Sequence, residues 1–145
     1  MNTRRTARPH NRAFTIIEVI VIIVIIGVIA AVVAPRLIQR IGQSKVSMAA
    51  SNAAALATAM NTYFADCGTP EPGATIDILM ERPSGVDESK WKGPYVQNKD
   101  MLLDPWGHKF ELLIPGKKNV DFDIVSYGLD GQPGGEGENE DIVKP

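Results

Sequence analysis
Phe14-Thr15-Ile16-Ile17-Glu18-Val19-Ile20-Val21-Ile22-Ile23-Val24-Ile25-Ile26-Gly27-Val28-Ile29-Ala30-Ala31-Val32-Val33-Ala34 decides the fold. It is a run of 21 residues that only Thr15, Glu18 and Gly27 interrupt. A helix needs about 20 apolar residues to cross the hydrocarbon core of a bilayer. One carboxylate, Glu18, lies five residues in, and a charge near a bilayer centre costs about 2.5–3.5 kcal/mol on insertion scales. Glu18 therefore either meets a positive partner, such as the free amine of a neighbouring chain, or snorkels to the headgroups with no further role. Arg4, Arg5, Arg8 and Arg12 precede the run with no acid among them. That bias keeps residues 1–13 cytoplasmic and sends the rest of the chain outward. A secretory signal with cleavage near Ala30, Ala31 or Ala34 is the simple alternative. Two features oppose it: the run is long for a signal core, and it passes into a second helical pattern without a linker.

The 145 residues suffice for one modest domain. Net charge is −2, but without residues 1–13 there are 11 basic against 17 acidic residues, or −6. Residues 121–145 carry seven of the acids against Lys144 alone. Such a balance excludes a nucleic-acid-binding surface. Cys67 is the single cysteine, so neither an internal disulfide nor a cysteine-based zinc cluster can form. His10 lies in the leader and His108 follows a turn, which indicates no Ser-His-Asp or metal-histidine site and no catalysis.

Beyond Pro35, apolar positions at Leu37, Ile41, Met48 and Phe64 and dense alanine from Ala49 to Ala65 extend the helical pattern. One helix is expected from about Phe14 to Asp66, ended by Gly68 at C′ and Pro70 beyond it. Gly27 and Pro35 are its weak points, Pro35 because it removes a hydrogen bond and crowds the preceding turn. Residues 69–92 read as loop with one short helix capped by Thr75 and ended by Arg82-Pro83-Ser84-Gly85. Trp91 and Tyr95 flank a turn and should pack on the long helix. Asp104-Pro105-Trp106-Gly107 is a turn. Lys109–Ile114 reads as a strand, and Val120–Ser126 alternates as a half-buried strand should. The fold class is α+β: a long N-terminal helix packed against a small antiparallel sheet, here a pair of strands. Residues 126–142 then form a Gly-rich acidic loop. By composition it is either a solvated tail or a calcium loop, whose glycines let backbone carbonyls and carboxylates wrap an ion.

Arg12-Ala13-Phe14-Thr15-Ile16-Ile17-Glu18 resembles the class III signal of type IV pilins and pseudopilins. The resemblance implies cleavage by a prepilin peptidase between Ala13 and Phe14 and N-methylation of Phe14, although that family usually has Gly where Ala13 stands. It also implies that Glu18 pairs with the Phe14 amine of an adjacent subunit, and that the helix unwinds locally around Pro35 when subunits pack. Arg82-Pro83-Ser84-Gly85, Asp104-Pro105-Trp106-Gly107, Ser126-Tyr127-Gly128, Asp130-Gly131, Gly134-Gly135 and Asp141-Ile142 together resemble the major pseudopilin of type II secretion systems. That likeness implies a structural subunit of a helical filament, the periplasmic pseudopilus, that drives export of folded proteins. The implied partners are further copies, minor pseudopilins, an inner-membrane assembly platform and the membrane itself.

The division expected is a cleaved leader at 1–13, a transmembrane and assembly helix at 14–34, a periplasmic amphipathic half at 35–68 and a globular head at 69–145. One structural Ca²⁺ is implied in the C-terminal loop, with Asp130 and Asp141 as carboxylate ligands. Glu136, Glu138 and Asn139 are further candidates, and backbone oxygens near Ser126 and Leu129 complete the shell. Two rivals stay open: a type IV pilin for adhesion, motility or DNA uptake, and a membrane-anchored monomeric calcium-binding protein.

Overall fold
The computed structural model describes residues 14–145, so the expected leader, 1–13, and the Ala13 side of the expected cleavage point lie outside it. Helix α1 spans Ile16–Cys67 and runs through Gly27 and Pro35 without a break. It starts at Ile16 rather than Phe14 because Thr15 takes the N-cap position. The Thr15 N–H and hydroxyl both donate to Glu18 Oε2, at 2.8 and 2.9 Å, and the Glu18 N–H donates to Thr15 Oγ1 at 3.3 Å. This is a reciprocal capping box, each residue satisfying an amide that the helix start would otherwise strand. At the other end the Gly68 N–H bonds the Phe64 carbonyl at 2.9 Å with φ of 84°. A left-handed residue there is what a helix C-terminus needs and what glycine adopts at no steric cost.

The described residues fall into two compact units that divide between Ile38 and Gln39. In the first, every described residue is exposed, including the large apolar side chains from Phe14 to Ile38. No helix so apolar stays bare in water, so this surface belongs in lipid or against other helices.

In the second unit, Ala49, Ala53, Leu56, Ala57, Met60 and Tyr63 are buried. Their spacing of three or four residues puts them on one helix face. Ala53 through Tyr63 join Ile76, Leu79, Val96, Leu102, Phe110, Leu112, Phe122 and Ile124 in a single core. Tyr63 meets the ring of Tyr95 edge-on at 5.6 Å, so Tyr95 packs on the long helix as expected, while Trp91 stacks edge-on against Tyr95 at 5.9 Å.

The sheet has three strands, not two: β1 (Glu111–Leu113), β2 (Asp123–Ser126) and β3 (Ile142–Lys144), in the order β1-β2-β3 and antiparallel throughout. Leu112 faces Ile124, and Val125 faces Val143. The first strand is shorter than Lys109–Ile114 because Lys109 instead bridges Leu103, closing the turn between them. The expected short helix is a single 3₁₀ turn at Ile76–Leu79, and further 3₁₀ turns occupy Lys99–Leu102 and Gly137–Asn139. Thr75 stands at the first N-cap position without capping: its hydroxyl donates to Asp77 Oδ2 at 2.9 Å.

The second strand is not half-buried. All four of its residues are buried, as a central strand requires, and this includes Asp123 and Ser126. Asp123 is accommodated because it collects four donors. Its carboxylate accepts from the N–H groups of Lys117, Lys118 and Asn119, at 2.5, 2.7 and 3.0 Å, and from Asn119 Nδ2 at 2.6 Å. Burial pushes its pKa up, but those donors outweigh burial and hold it below the ordinary carboxylate value. The stability that Asp123 contributes is thus complete above the ordinary carboxylate range and is lost as pH falls through its lowered native value. Asp123→Ala should cost about 1–3 kcal/mol at neutral pH. Its deficit against wild type should begin to shrink below about pH 4, where the carboxylate of the unfolded chain starts to protonate while the native one stays ionised. Thermal unfolding of the full chain in detergent at several pH values measures both.

Candidate functional site
The C-terminal loop is built on the turn Asp104–His108. The Asp104 side chain is fully buried. Its Oδ1 accepts from the Trp106 N–H at 3.0 Å and the His108 N–H at 2.9 Å, and its Oδ2 accepts from Ser126 Oγ at 2.6 Å. The Asp104 N–H returns to the His108 carbonyl at 2.7 Å, and Gly107, with φ of 93°, lets the chain reverse. One carboxylate thereby joins the turn to the end of β2. Asp, Ser and His do come together here, against the expectation from sequence. Their arrangement is not that of an activated nucleophile. The serine donates to the aspartate, while His108 Nδ1 lies 3.0 Å from the Gly128 carbonyl.

From Ser126 the chain enters the glycine-rich loop. Gly128, Gly131, Gly134, Gly135 and Gly137 all have positive φ. At two of them the space itself demands glycine. A Cβ on Gly128 would meet the Glu138 carbonyl oxygen at 2.5 Å, and one on Gly135 would meet the Asn139 carbonyl oxygen at 2.5 Å. The loop therefore folds back on itself, with the Leu129 N–H bonded to the Glu138 carbonyl at 2.8 Å. This is an ordered wrap, not a solvated tail, and β3 returns from it into the sheet with Ile142 buried.

The predicted ligands are only partly gathered. Asp130 Oδ1 accepts from the Gln132 N–H at 3.1 Å, and both oxygens of Asp141 accept from the Gly134 N–H at 3.0 Å. Both carboxylates are thus held by one short stretch of backbone, and neither has an ion-pair partner among the described residues. Glu138 points elsewhere: its carboxylate lies over the helix backbone at Gly42, where a Cβ would collide with Oε1. Glu136 is exposed, and Asn139 packs its backbone on Gly128 and Gly135. The Ser126 hydroxyl is committed to Asp104. Among the described residues no three acidic, histidine or cysteine side chains converge. What remains is two carboxylates, each bonded to the backbone between Gln132 and Gly134, and carboxylate oxygens are donors of the hard kind that calcium takes. Beside it the Tyr127 hydroxyl donates to Glu111, and that bond, with burial, pushes the tyrosine up to about 12.

A long apolar helix, capped by its own Glu18 and carrying beyond residue 38 a small antiparallel head, defines a pilin-like subunit. Residues 36–145 match the family described as type II secretion system (T2SS), protein G, and residues 8–34 match the prokaryotic N-terminal methylation motif. The chain is 36% identical over 138 residues to the type II secretion system core protein G of Pseudomonas aeruginosa, covering 93% of this chain and 95% of that one. It is 34% identical over 140 residues to the core protein G of Xanthomonas campestris, with 97% and 94% covered. The crystal structure of the major pseudopilin from the type 2 secretion system of enterohaemorrhagic Escherichia coli superposes with a TM-score of 0.57 at 27% identity, over 72% of this chain and 86% of that one. The chain belongs to the type II secretion system protein G family.

Neither the capping box nor the Asp104 hub is among the features expected from the sequence. Thr15-Ile16-Ile17-Glu18 does carry the first as a Thr-x-x-Glu pattern at a helix start. Only the fold reveals the second, since 22 residues separate Asp104 from Ser126. Ser126→Ala should leave Asp104 Oδ2 buried without its hydroxyl donor and cost about 1–3 kcal/mol, read as a lower unfolding temperature of the full chain. An unchanged temperature would show that the hub does not hold the loop to the turn.

Proposed function
We propose that this chain is the major pseudopilin of its secretion system. It enters the inner membrane once, with its N-terminus cytoplasmic and its head periplasmic. A prepilin peptidase trims it between Ala13 and Phe14, and Phe14 is N-methylated. The chain then polymerises, together with minor pseudopilins and on an inner-membrane platform, into a helical periplasmic filament that drives folded proteins outward. Its work is assembly and not catalysis.

The observation that carries this reading is Glu18 on a helix surface otherwise wholly apolar and exposed from Ile16 to Ala34. Both cap bonds from Thr15 go to Oε2. That leaves Oε1 for a donor from outside, and the Phe14 amine of a neighbouring copy is a cation of the right kind. Burying the two together leaves neither charge alone in an apolar filament core. Pro35, which has no N–H to give, is the point where the helix has least to lose by opening as copies pack.

In the head, Asp130 and Asp141 with backbone oxygens near Leu129 and Ser126 would hold one Ca²⁺, with Glu136 and Asn139 as candidates to complete the shell. The ion would neutralise the paired carboxylates and tie the loop to the sheet in a chain whose one cysteine cannot form an internal disulfide.

Glu18→Ala should abolish filament formation while leaving membrane insertion intact, as judged by electron microscopy and membrane fractionation of cells overproducing the chain. Filaments at wild-type yield would sink the pairing. For the ion, the full chain in detergent should unfold several degrees lower in chelator than in millimolar calcium, because saturation at 100 times Kd stabilises by about 2.7 kcal/mol. Equal unfolding temperatures would remove calcium from the loop.

A further inference from the structure
His108 is fixed at its own backbone before its ring does anything. Its N–H donates to Asp104 Oδ1 at 2.9 Å, and its carbonyl accepts from the Asp104 N–H at 2.7 Å. The ring is aimed accordingly. Nδ1 lies 3.0 Å from the Gly128 carbonyl oxygen. A carbonyl only accepts, so Nδ1 carries the proton and Nε2 is the unprotonated nitrogen of the neutral ring. The N–H of the same Gly128 donates to Ser126 Oγ at 3.3 Å, and that hydroxyl is bound to Asp104. Both peptide groups of Gly128 therefore trace back to one buried carboxylate, one through Ser126 and the other through the imidazole.

The ring also covers Gly131. A Cβ placed there would meet His108 Cε1 at 3.3 Å and Nε2 at 3.4 Å. His108 thus spans both ends of the stretch 128–131, and between them stand Leu129 and Asp130. A loop that must gather oxygens around an ion binds it better if less of its backbone has to be ordered on binding.

We propose that His108 is a positioning residue for the calcium loop. It holds residues 128–131 in their wrapped form before the ion arrives, so that calcium meets a preordered site. The proposal rests on the calcium reading given under the proposed function. It does not make His108 a ligand: its contribution passes through the Gly128 carbonyl and the ring's contact with Gly131.

The test is calcium titration of the full chain in detergent, with calcium chloride as the probe and the unfolding temperature read at each concentration. Wild type is compared with His108→Leu, His108→Asn and His108→Gln. Asn places its amide nitrogen where Nδ1 stands and keeps the donor to Gly128, whereas Gln moves its donor to the Nε2 end, away from that carbonyl. His108→Leu should raise the half-saturating calcium concentration about three- to ten-fold, the size of one lost hydrogen bond. His108→Gln should do the same, and it serves if the leucine variant does not fold. His108→Asn should stay within about two-fold of wild type. The proposal is overturned if the leucine or glutamine variant unfolds earlier by the same margin with and without calcium while half-saturation is unchanged, since His108 would then be a structural prop only. It is equally overturned if Asn and Gln behave alike. A wild-type chain that does not respond to calcium would defeat the calcium reading, and this proposal with it. The wild-type titration alone reveals that outcome, so the two failures are distinguishable.

Discussion
Ala53, Leu56, Ala57, Met60 and Tyr63 form the floor on which the head is laid. Leu112 of β1 and Ile124 of β2 are buried in the same cluster as this helix face. Tyr63 meets the Tyr95 ring edge-on, and Met60, Ile76 and Leu79 are buried in the same cluster. Without this face the three short strands would have little to pack against, and a small sheet is not stable alone. Every feature of the loop region inherits its position from that contact. β2 rests on the helix, Ser126 ends β2, and Ser126 fixes Asp104.

Two buried acids then perform different tasks with the same chemistry. Asp123 gathers the amides of the 117–119 turn, and Asp104 gathers those of the 104–108 turn. Each replaces hydration with N–H donors, the means by which a carboxylate is tolerated out of water. The family's head is small, and in this chain its two main turns are each tied to the sheet by a carboxylate at or beside the central strand.

Much of this was legible in the sequence, and the reasons are physical. The apolar run and the dense alanines specify a long helix because propensity, periodicity and the Gly68 stop agree. Leu112 and Ile124 lie on strands where the pattern puts them. β3 was not legible: Ile142-Val143-Lys144 is too short to show a period, and it follows a stretch rich in glycine and acid. Asp123 misled for a related reason. Alternation assigns a polar residue to the solvent face, but a central strand has no such face here, and only the turn's amides explain the aspartate. Of the site, Asp130 and Asp141 are brought onto one short segment of backbone, while the carboxylate of Glu138 is drawn to the gap left by Gly42. Composition counts acids without saying which way each one faces.

The capping box at Thr15 and Glu18 has a consequence for the maturation of the chain. The helix begins at Ile16, and each bond that closes its start comes from Thr15 or from Glu18 itself. None of the groups making those bonds precedes Phe14. Severing the chain ahead of Phe14 would therefore take away none of them. What such a cut would change is ionic: four arginines would depart and a free amine would appear two residues before the helix. Under the proposed cleavage, maturation would alter the charge ahead of the helix and leave its cap bonds intact.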